Sequence, residues 1–472
     1  MSNSDTVPAL TDARGMGGII AQDGFDYQLW DGLVRLPAWL ANPAFEEMIF
    51  EGLEDLEARF FAPHAPRERL LERYQAKVGA LAPADVRAVL QNFFEFEAAY
   101  PSAARVQTLV TPRLPPTVSW LARDPERVRR ARPFYAPFSD VMAASDAELQ
   151  KQLMDTYGDA LGAFVAASVE ISERNLPAHD AAVVMFRLEL DRVFPTLEVS
   201  QKRVSAAFDA LSLLARRSIG APLARAILCQ TIEGAIGRPL PLPETFPLHI
   251  RSDRNEVNGE SLEINASPFS GGDGAFPSQA DWTDNLLAPL SRTSNWLKWQ
   301  SVPRITLSGS YRLTTAMAIG HAFRSAVGFE LDIPTRDGFW ATDERPSPDM
   351  KQPWRISEPN ALHGDQLIVS VGVLRDPSAD LEQTASIPAQ SVLAMYLKEP
   401  ISSAKSAQAA VSVIKRTVDI AVARLRPQGV QLYFAGPAAL AVALGHRWNA
   451  VAPTQLHEFV MSKRSYVPTA LI

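Results

Sequence analysis

Residues 55–77 read DLEARFFAPHAPRERLLERYQAK, with Asp55 opening one apolar run and Gln75 and Lys77 closing a second. The pattern predicts two neighbouring strands that pair with each other. Successive side chains of a strand point to opposite faces of the sheet, so Gln75 and Lys77 share one face. The segment therefore predicts that a carboxylate, an amide and an ammonium group converge where the strands meet.

These groups are the ones that metal-dependent phosphodiester cleavage uses. Oxygen ligands suit Mg²⁺ or Mn²⁺, and the bound cation would polarise a phosphate and lower the pKa of its water. We predict Asp55, Gln75 and the Ala76 carbonyl as metal ligands. Lys77 would orient the water or neutralise charge on the phosphorane. The alternative is that Gln75 and Lys77 form only the solvated face of an edge strand.

The neighbouring elements extend this pair into an α/β domain over 1–138. The pattern predicts helices over 23–40 and 83–99 and strands over 48–52, 55–60, 70–78 and 105–110. This order, with the stretch GGIIAQDGFDYQ at 17–28, resembles the PD-(D/E)xK restriction-endonuclease core. The resemblance implies that Gln28 faces the metal site. Gln75 departs from the commoner Glu or Asp of that family.

Charge and composition limit the partners. The 472 residues, 47% of them hydrophobic, are enough for two or three domains. A formal charge of −7 argues against a protein that coats nucleic acid, so any contact with DNA would need a local basic patch. The arginine-rich stretch over 123–132 is the candidate, and a solvated helix face is its alternative.

The cysteine count and the apolar runs indicate a compartment. The single cysteine, Cys229, excludes an intrachain disulfide and fits a reducing environment, so we expect a cytoplasmic protein. The start of the chain lacks a basic apolar leader. No apolar run approaches the roughly 20 residues that span a bilayer, so we expect neither a signal peptide nor membrane insertion.

The remainder of the chain divides at a proline-rich segment. From 139 to about 238, helical periodicity with few strand signals predicts a helical extension or linker. Prolines at 239, 241, 243 and 247 predict a domain boundary. Over 246–472, strands alternate with helices, which predicts an α/β domain with a largely parallel sheet.

An internal repeat divides this last domain into halves over about 246–345 and 360–472. RITLSGS from 304 and QLYFAGP from 431 each predict a strand and a glycine turn, and the following helices end in GHAF and GHRW. Two Rossmann-like halves follow from the repeat. Turns at the carboxyl edge of such sheets present N–H groups and helix N-termini, so we predict a phosphate-bearing ligand there.

Residues 248–472 resemble a SAVED domain, a fusion of two CARF-like halves that binds cyclic oligonucleotide messengers. The matching stretches lie at 305–309, 338–340, 433–438, 444–445 and 466–469. With its nuclease-like first domain, the chain resembles the SAVED-fused nuclease effectors of CBASS anti-phage systems. The resemblance implies a cyclic oligonucleotide activator, best a cyclic trinucleotide, made by a CD-NTase. It further implies self-association and degradation of double-stranded DNA.

The predicted ligand contacts are the two turns and a nearby tryptophan: Ser308, Gly309, Ser310, Tyr311, Arg312, Trp340, Gly436, Pro437 and Ala438. Arg312 would neutralise phosphate, and Tyr311 or Trp340 would stack on a base. Alternatively, Trp340 packs in the core and Arg312 pairs with a carboxylate. Arg251 and Ser252 are further candidates. The loop over 269–279 would set selectivity for the base and the linkage, and its part over 270–274 would close over the ligand.

Two other functions stay open at this point. The first is a non-catalytic nucleotide sensor with a degenerate nuclease fold, which Gln75 motivates. The second is a metabolic α/β enzyme with a nucleotide cofactor. The sequence contains no HExxH, HNH, GxSxG or P-loop motif, so the active site is either the set Gln28, Asp55, Gln75 and Lys77 or absent.

Overall fold

The computed structural model describes residues 13–52, 54–65, 67–79, 81–131, 139–252, 262–271, 276–346 and 352–472. The chain forms two compact units, Met1–Leu242 and Pro243–Ile472, and the boundary between them along the sequence falls within the proline-rich segment. Among the described helices, none is both long enough and apolar enough to cross a membrane.

The first unit consists of helices on both faces of one mixed sheet. Its helices are α1 (Ala13–Ala41), α2 (Pro83–Ala99), α3 (Trp120–Ala131), α4 (Asp140–Tyr157), α5 (Asp159–Ser168), α6 (His179–Val193), α7 (Gln201–Arg217) and α8 (Arg225–Ile236). Its strands are β1 (Phe45–Phe50), β2 (Leu56–Phe61), β3 (Arg69–Ala76), β4 (Ala104–Thr111), β5 (Val169–Glu173) and β6 (Leu223–Ala224). The sheet has the order β5-β4-β3-β2-β1-β6.

The predicted hairpin is present, and the stretch after it requires a correction. β2 and β3 pair antiparallel with Leu56 opposite Tyr74, and β3, β4 and β5 run parallel. The structure corrects the helical extension predicted over 139–238, because that stretch supplies both edge strands, β5 and β6. Arg132, the last residue of the arginine-rich stretch, lies outside the described residues.

Two apolar cores fix this sheet. One face packs against α1, α6, α7 and α8, with Phe186 and Phe208 fully buried. The opposite face packs against α2 and α5 through Phe93 and Phe164. Burial of a phenylalanine side chain stabilises a fold by about 1.5–3 kcal/mol. The sheet is therefore a rigid platform for residues at the carboxyl ends of its parallel strands.

The second unit contains two sheets. Its helices are α9 (Gln279–Trp282), α10 (Ala288–Trp299), α11 (Leu313–Ala322), α12 (Ser378–Ala385), α13 (Ala404–Leu425) and α14 (Ala438–Arg447). The first sheet, β11-β10-β9-β7-β8, comprises β7 (Phe246–Arg251), β8 (Leu262–Asn265), β9 (Arg304–Gly309), β10 (Glu330–Thr335) and β11 (Gly338–Ala341). The second, β12-β14-β13-β15-β16-β17, comprises β12 (Arg355–Ser357), β13 (Gln366–Val373), β14 (Val392–Leu397), β15 (Gly429–Ala435), β16 (Thr454–Val460) and β17 (Ser465–Leu471).

The two halves meet where the repeated helices α11 and α14 cross. A Cβ added at Gly320 would lie 2.1 Å from the Val442 carbonyl oxygen, and one added at Gly445 would lie 2.2 Å from that of Met317. Each repeat glycine therefore faces the backbone of the other helix. The glycines of the GHAF and GHRW sequences allow this close approach, which no residue with a Cβ permits.

Candidate functional site

The predicted catalytic residues lie at one end of the β2–β3 hairpin, beside the carboxyl end of β3. Asp55 lies in the turn before β2, so the strand predicted from residue 55 begins one residue later. Its Oδ2 accepts the backbone N–H of Ala76 at 2.7 Å. Continuing the register by one residue sets Asp55 opposite Gln75. The hairpin thus brings this carboxylate and this amide together.

Gln28 and Lys77 complete the group around Asp55. The Gln28 side chain hydrogen-bonds to the Asp55 carboxylate, and the Lys77 ammonium is close enough to lower the pKa of that carboxyl. Burial has the larger effect, so the pKa of Asp55 is raised. The backbone N–H of Lys77 donates to the Val110 carbonyl at 2.9 Å and anchors the chain beside β4. The structure therefore brings the four predicted catalytic residues together.

Two amide oxygens of this group have no hydrogen-bond donor. Gln28 Oε1 and Gln75 Oε1 are buried, and neither accepts a hydrogen bond from any part of the chain that the structure describes. A buried polar atom without a partner costs about 1–3 kcal/mol, and Mg²⁺ is a hard cation that prefers oxygen ligands. The residues present therefore fit such a cation, with Asp55 supplying negative charge.

The donor set is poor in charge. Within the described ranges, no three His, Cys, Asp or Glu side chains are grouped so as to hold a metal ion. A cation beside Asp55 would therefore depend on one carboxylate, on amide oxygens and on water. Such a set fits Mg²⁺, which commonly keeps several waters and takes one or two carboxylates.

Sequence reasoning missed two carboxylates next to Asp55. Glu54 forms an ion pair with the buried Arg73. The pKa of Glu54 is nevertheless raised, mainly by burial, with Asp55 adding to the rise and Arg73 opposing it. The pKa of Glu51 is raised by burial and by Asp55. The acidic stretch EGLED at 51–55 was the available signal, but such a stretch is also typical of an exposed turn.

The first predicted ligand turn follows β9 in the second unit. Gly309 has a φ of +89°, and a Cβ there would lie 2.2 Å from the Ile250 carbonyl oxygen. Both the conformation and the close approach to β7 require glycine. Ser308 and Ser310 are exposed, and Ser310 Oγ lies 2.9 Å from Ser252 Oγ. The turn therefore presents hydroxyl groups to solvent at the carboxyl ends of β7 and β9.

Arg312 is tethered within this region. Its Nε donates to the Ser270 carbonyl at 2.7 Å, and its guanidinium lies near Glu458 of β16. Glu458 is 4% exposed and accepts the Thr314 N–H at 2.7 Å. This carboxylate, which the sequence analysis missed, engages the N-terminus of α11. An anionic ligand would therefore meet fewer free N–H groups there than the turn alone predicts.

Other predicted ligand residues differ in their surroundings. Tyr311 is half-buried, and burial raises the pKa of its phenol. Trp340 is half-buried on the edge strand β11. Arg251 pairs with Glu263 at 2.7 Å, which satisfies its charge. The loop expected to close over a ligand, 270–274, falls in part, at 272–274, outside the described residues.

The second turn lies at the same end of the unit as the first. Gly436, Pro437 and Ala438 are half-buried and join β15 to α14. β16 runs parallel to β15, and its Glu458 contacts the start of α11. The carboxyl end of the second sheet is therefore next to the first turn, as the repeat predicts.

Three comparisons with known proteins agree with this architecture. Residues 292–472 match the family model SAVED, described as the SMODS-associated and fused to various effectors sensor domain. The chain is 24% identical over 472 residues to CD-NTase-associated protein 4 of Moraxella osloensis and 23% identical over 480 residues to that of an Acinetobacter species. Each alignment covers 98% of both proteins.

A solved structure shares the fold. The Acinetobacter baumannii Cap4 SAVED/CARF-domain containing receptor, in a complex with the cyclic trinucleotide 2'3'3'-cAAA, superposes with a TM-score of 0.77 at 21% identity. The match covers 95% of this chain and 98% of that one. Residues 292–472 thus form a SAVED domain, and the chain is similar over nearly its whole length to CD-NTase-associated protein 4 of two bacteria.

Proposed function

We propose that this protein is a cytoplasmic, metal-dependent endonuclease that cuts double-stranded DNA in anti-phage defence when a cyclic oligonucleotide binds its second unit. The group around Asp55 carries this proposal, because Gln28, Ala76 and Lys77 all approach one carboxylate. The resemblance of the first unit to the PD-(D/E)xK restriction-endonuclease core supports the same reaction.

Each side chain of the site has a defined task in this reaction. Mg²⁺ or Mn²⁺, when bound, would supply a water of lowered pKa and polarise the scissile phosphate. Asp55 and the donor-free oxygens of Gln28 and Gln75 would hold the cation. Lys77, whose ammonium lies near Asp55 and Glu54, orients the attacking water or neutralises charge on the phosphorane.

The activator is assigned to the second unit. The Acinetobacter baumannii receptor of the same fold was solved with 2'3'3'-cAAA, which supports a cyclic trinucleotide made by a CD-NTase. We assign its binding to the two turns over 308–312 and 436–438. Ser308 and Ser310 would donate to phosphate oxygens, Arg312 would supply positive charge, and Trp340 would stack on a base.

Self-association would be the switch between the silent and the active state. A ligand that binds the assembly-competent form more tightly than the resting form shifts the population towards assembly. Adjacent copies then place several DNA contacts on one duplex. This arrangement suits a chain with a formal charge of −7, because each copy alone offers DNA little net attraction.

One observation favours a second candidate function, a sensor without catalysis. Gln75 occupies the position at which a carboxylate is commoner, and the described residues contain no three-carboxylate metal cluster. In that case the first unit would serve only as a platform for assembly or for binding DNA.

A cleavage assay separates the two candidates. Purified full-length protein is incubated with linear double-stranded DNA, with Mg²⁺ or Mn²⁺, and with a panel of cyclic di- and trinucleotides that includes 2'3'3'-cAAA. Lys77→Ala is the test variant, and Lys151→Ala, on the exposed surface of α4, is its matched control. We expect one messenger to trigger cleavage by the wild type and the control and not by Lys77→Ala.

Two results would contradict the catalytic proposal. Cleavage that survives Lys77→Ala would show that the site around Asp55 is not responsible. Messenger binding without cleavage in either metal would favour the non-catalytic sensor.

A further inference from the structure

An arginine-lined groove lies beside the metal site in the first unit. It forms a cavity of about 610 Å³ between α1, α3 and β5. Its cationic lining consists of Arg35, Arg123, Arg129, Arg130 and Arg174, and its acidic lining consists of Glu126, Glu170 and Glu173. Neither the metal site nor the messenger turns include any of these residues.

The floor of the groove holds two guanidinium groups on one carboxylate. Asp31 is 1% exposed, and its oxygens lie 2.7 Å from Arg35 Nε and 3.2 Å from Arg174 Nη1. The repulsion between the two arginines adds to burial in lowering the pKa of Arg174. Arg35 Nη2 is buried and has no acceptor in the described parts of the chain. The floor therefore carries a positive charge that an anion would compensate.

The neighbouring carboxylates reduce this excess but leave Arg35 Nη2 without an acceptor in the described parts of the chain. Glu189 attracts Arg174 and is also paired with Arg192. Glu72 is the next acidic group towards Arg35, and it is engaged by Arg105, Trp39 and Tyr74. Glu173 Oε1 accepts the Leu114 N–H at 2.7 Å. Glu170 is exposed on β5 and would repel a bound phosphate.

At the rim of the groove, which α3 forms, exposed arginines also pair with carboxylates. Arg129 and Arg130 both pair with Glu126, and Arg123 pairs with Asp124. Exposed pairs of this kind contribute only about 0–1 kcal/mol, so these arginines can exchange a carboxylate for a phosphate at little cost. The stretch over 123–131 therefore contributes to a built groove and not only to a solvated helix face.

The groove is aligned with the metal site. Arg174 follows β5 and donates its N–H to the Thr111 carbonyl at 2.9 Å, while Lys77 follows β3 on the other side of β4. On α1, Gln28 and Arg35 are seven residues apart and so share one face. That spacing is about 10 Å along the helix axis, so the groove lies within a few nucleotides of the metal site.

We infer that this groove holds the sugar–phosphate backbone of a nucleic acid, with one phosphate on Arg35 and Arg174 within a few nucleotides of the metal site. The inference rests on the proposed nuclease function and names the element that positions its substrate. Guanidinium groups suit this task because they bind phosphate oxygens bidentately and stay charged.

Salt-dependent binding of a duplex tests the inference. Full-length protein carrying Lys77→Ala is titrated, in EDTA, into a fluorescein-labelled 20-base-pair duplex at 50–300 mM KCl, with and without 2'3'3'-cAAA. Three variants are made in this background. One is the rim double variant, Arg129→Ala with Arg130→Ala, and the other two are the single variants Arg174→Lys and Glu170→Gln. Arg67→Ala is the matched control, because Arg67 is an exposed arginine at the opposite end of the hairpin.

The variants should move binding in opposite directions. Each arginine–phosphate pair contributes about 0.9 to the slope of log K against log salt, so the rim double variant should reduce that slope by roughly 2 and weaken binding about tenfold or more at 150 mM. Glu170→Gln should tighten binding, and Arg67→Ala should change neither quantity. Arg174→Lys should weaken binding of the duplex without a change in melting temperature. If this variant fails to fold, the binding of the exposed rim double variant decides whether the groove inference holds.

The groove and the nuclease proposal can fail separately. If wild-type protein cleaves DNA while the rim double variant and Glu170→Gln bind like the control, the groove inference is wrong and the nuclease proposal stands. If the background protein binds no duplex with or without messenger, the groove inference is equally wrong. If no messenger triggers cleavage but the rim variant still lowers the salt slope, the groove stands without the nuclease.

Discussion

Replacing Gly445 with alanine should destabilise the second unit, although alanine is the better helix former. The new Cβ would lie 2.2 Å from the carbonyl oxygen of Met317 and 3.0 Å from the backbone nitrogen of His321. Ordinary contacts begin near 3.4 Å, so α11 and α14 would have to separate by roughly 1 Å. Overpacking of this kind costs about 1–3 kcal/mol or more, because the packing along the whole crossing is stretched.

A gain in helix propensity opposes that cost. Glycine-to-alanine replacement in a helix stabilises by about 1 kcal/mol, so an overpacking cost at the upper end of that range leaves a net loss of about 2 kcal/mol. The crossing also sets the spacing of the two turns. Gly445→Ala should therefore weaken binding of the activating cyclic nucleotide as well as lower stability.

The assay is differential scanning calorimetry combined with tryptophan emission. Six of the nine tryptophans lie in the second unit, so the emission reports mainly on that unit. Gly320→Ala should repeat the effect, since its Cβ would lie 2.1 Å from the Val442 carbonyl oxygen. Gly234→Ala in α8 is the control, because its Cβ meets nothing within 4 Å and only the propensity gain remains. If Gly445→Ala melts above the wild type, as this control should, the reasoning from the close crossing is refuted.

Three further predictions concern titratable groups. Asp55→Asn should abolish messenger-dependent cleavage, and because burial raises the pKa of Asp55 in the metal-free protein, its affinity for Mg²⁺ should decline on acidification at a higher pH than an ordinary aspartate of pKa about 3.9 would give; calorimetric titration with Mg²⁺ at several pH values checks this. Burial lowers the pKa of both His321 and His446 to about 4, so the unfolded chain binds more protons between about pH 6.5 and 4 and the stability of the second unit should fall as pH falls through that window. Urea unfolding across this pH range should show that the free energy of unfolding of His446→Gln declines less steeply with falling pH than that of the wild type. Glu458→Gln keeps an acceptor for the Thr314 N–H, so its melting temperature should stay close to that of the wild type, whereas Glu458→Ala should destabilise the unit by about 1–3 kcal/mol.

Local chemistry was predictable from the sequence where a pattern repeats over short distances. The helix predicted from Pro83 to residue 99 has those bounds, and the two strands around Asp55 pair as the alternation requires. The repeat predicted two equivalent halves, and its glycines lie at the crossing of α11 and α14. In each case the residues within one short stretch of sequence are enough to indicate the local structure.

Contacts between distant residues were not predictable. Arg174 approaches Asp31 from 143 positions away, and Glu458 meets Thr314 from 144 positions away, so neither pair leaves a local pattern. β5 was missed because five residues flanked by helices carry too little alternation to indicate a strand. The pairing of β5 with β4 decides its conformation, and that pairing is a tertiary contact.

The charge balance of the groove bears on how such an enzyme would stay silent in one copy. Two of its arginines share Asp31, two share Glu126, and the wall carries Glu170 and Glu173, so the net attraction that one groove offers to DNA is small. Salt weakens each phosphate contact further. Grooves presented side by side on one duplex combine their affinities, because the second contact is intramolecular once the first has formed. Under the proposed function, a groove that is weak alone and an activator that drives association would explain one another. A stronger groove would bind DNA before the messenger arrives, and association without such a groove would bring metal sites together with no duplex held between them.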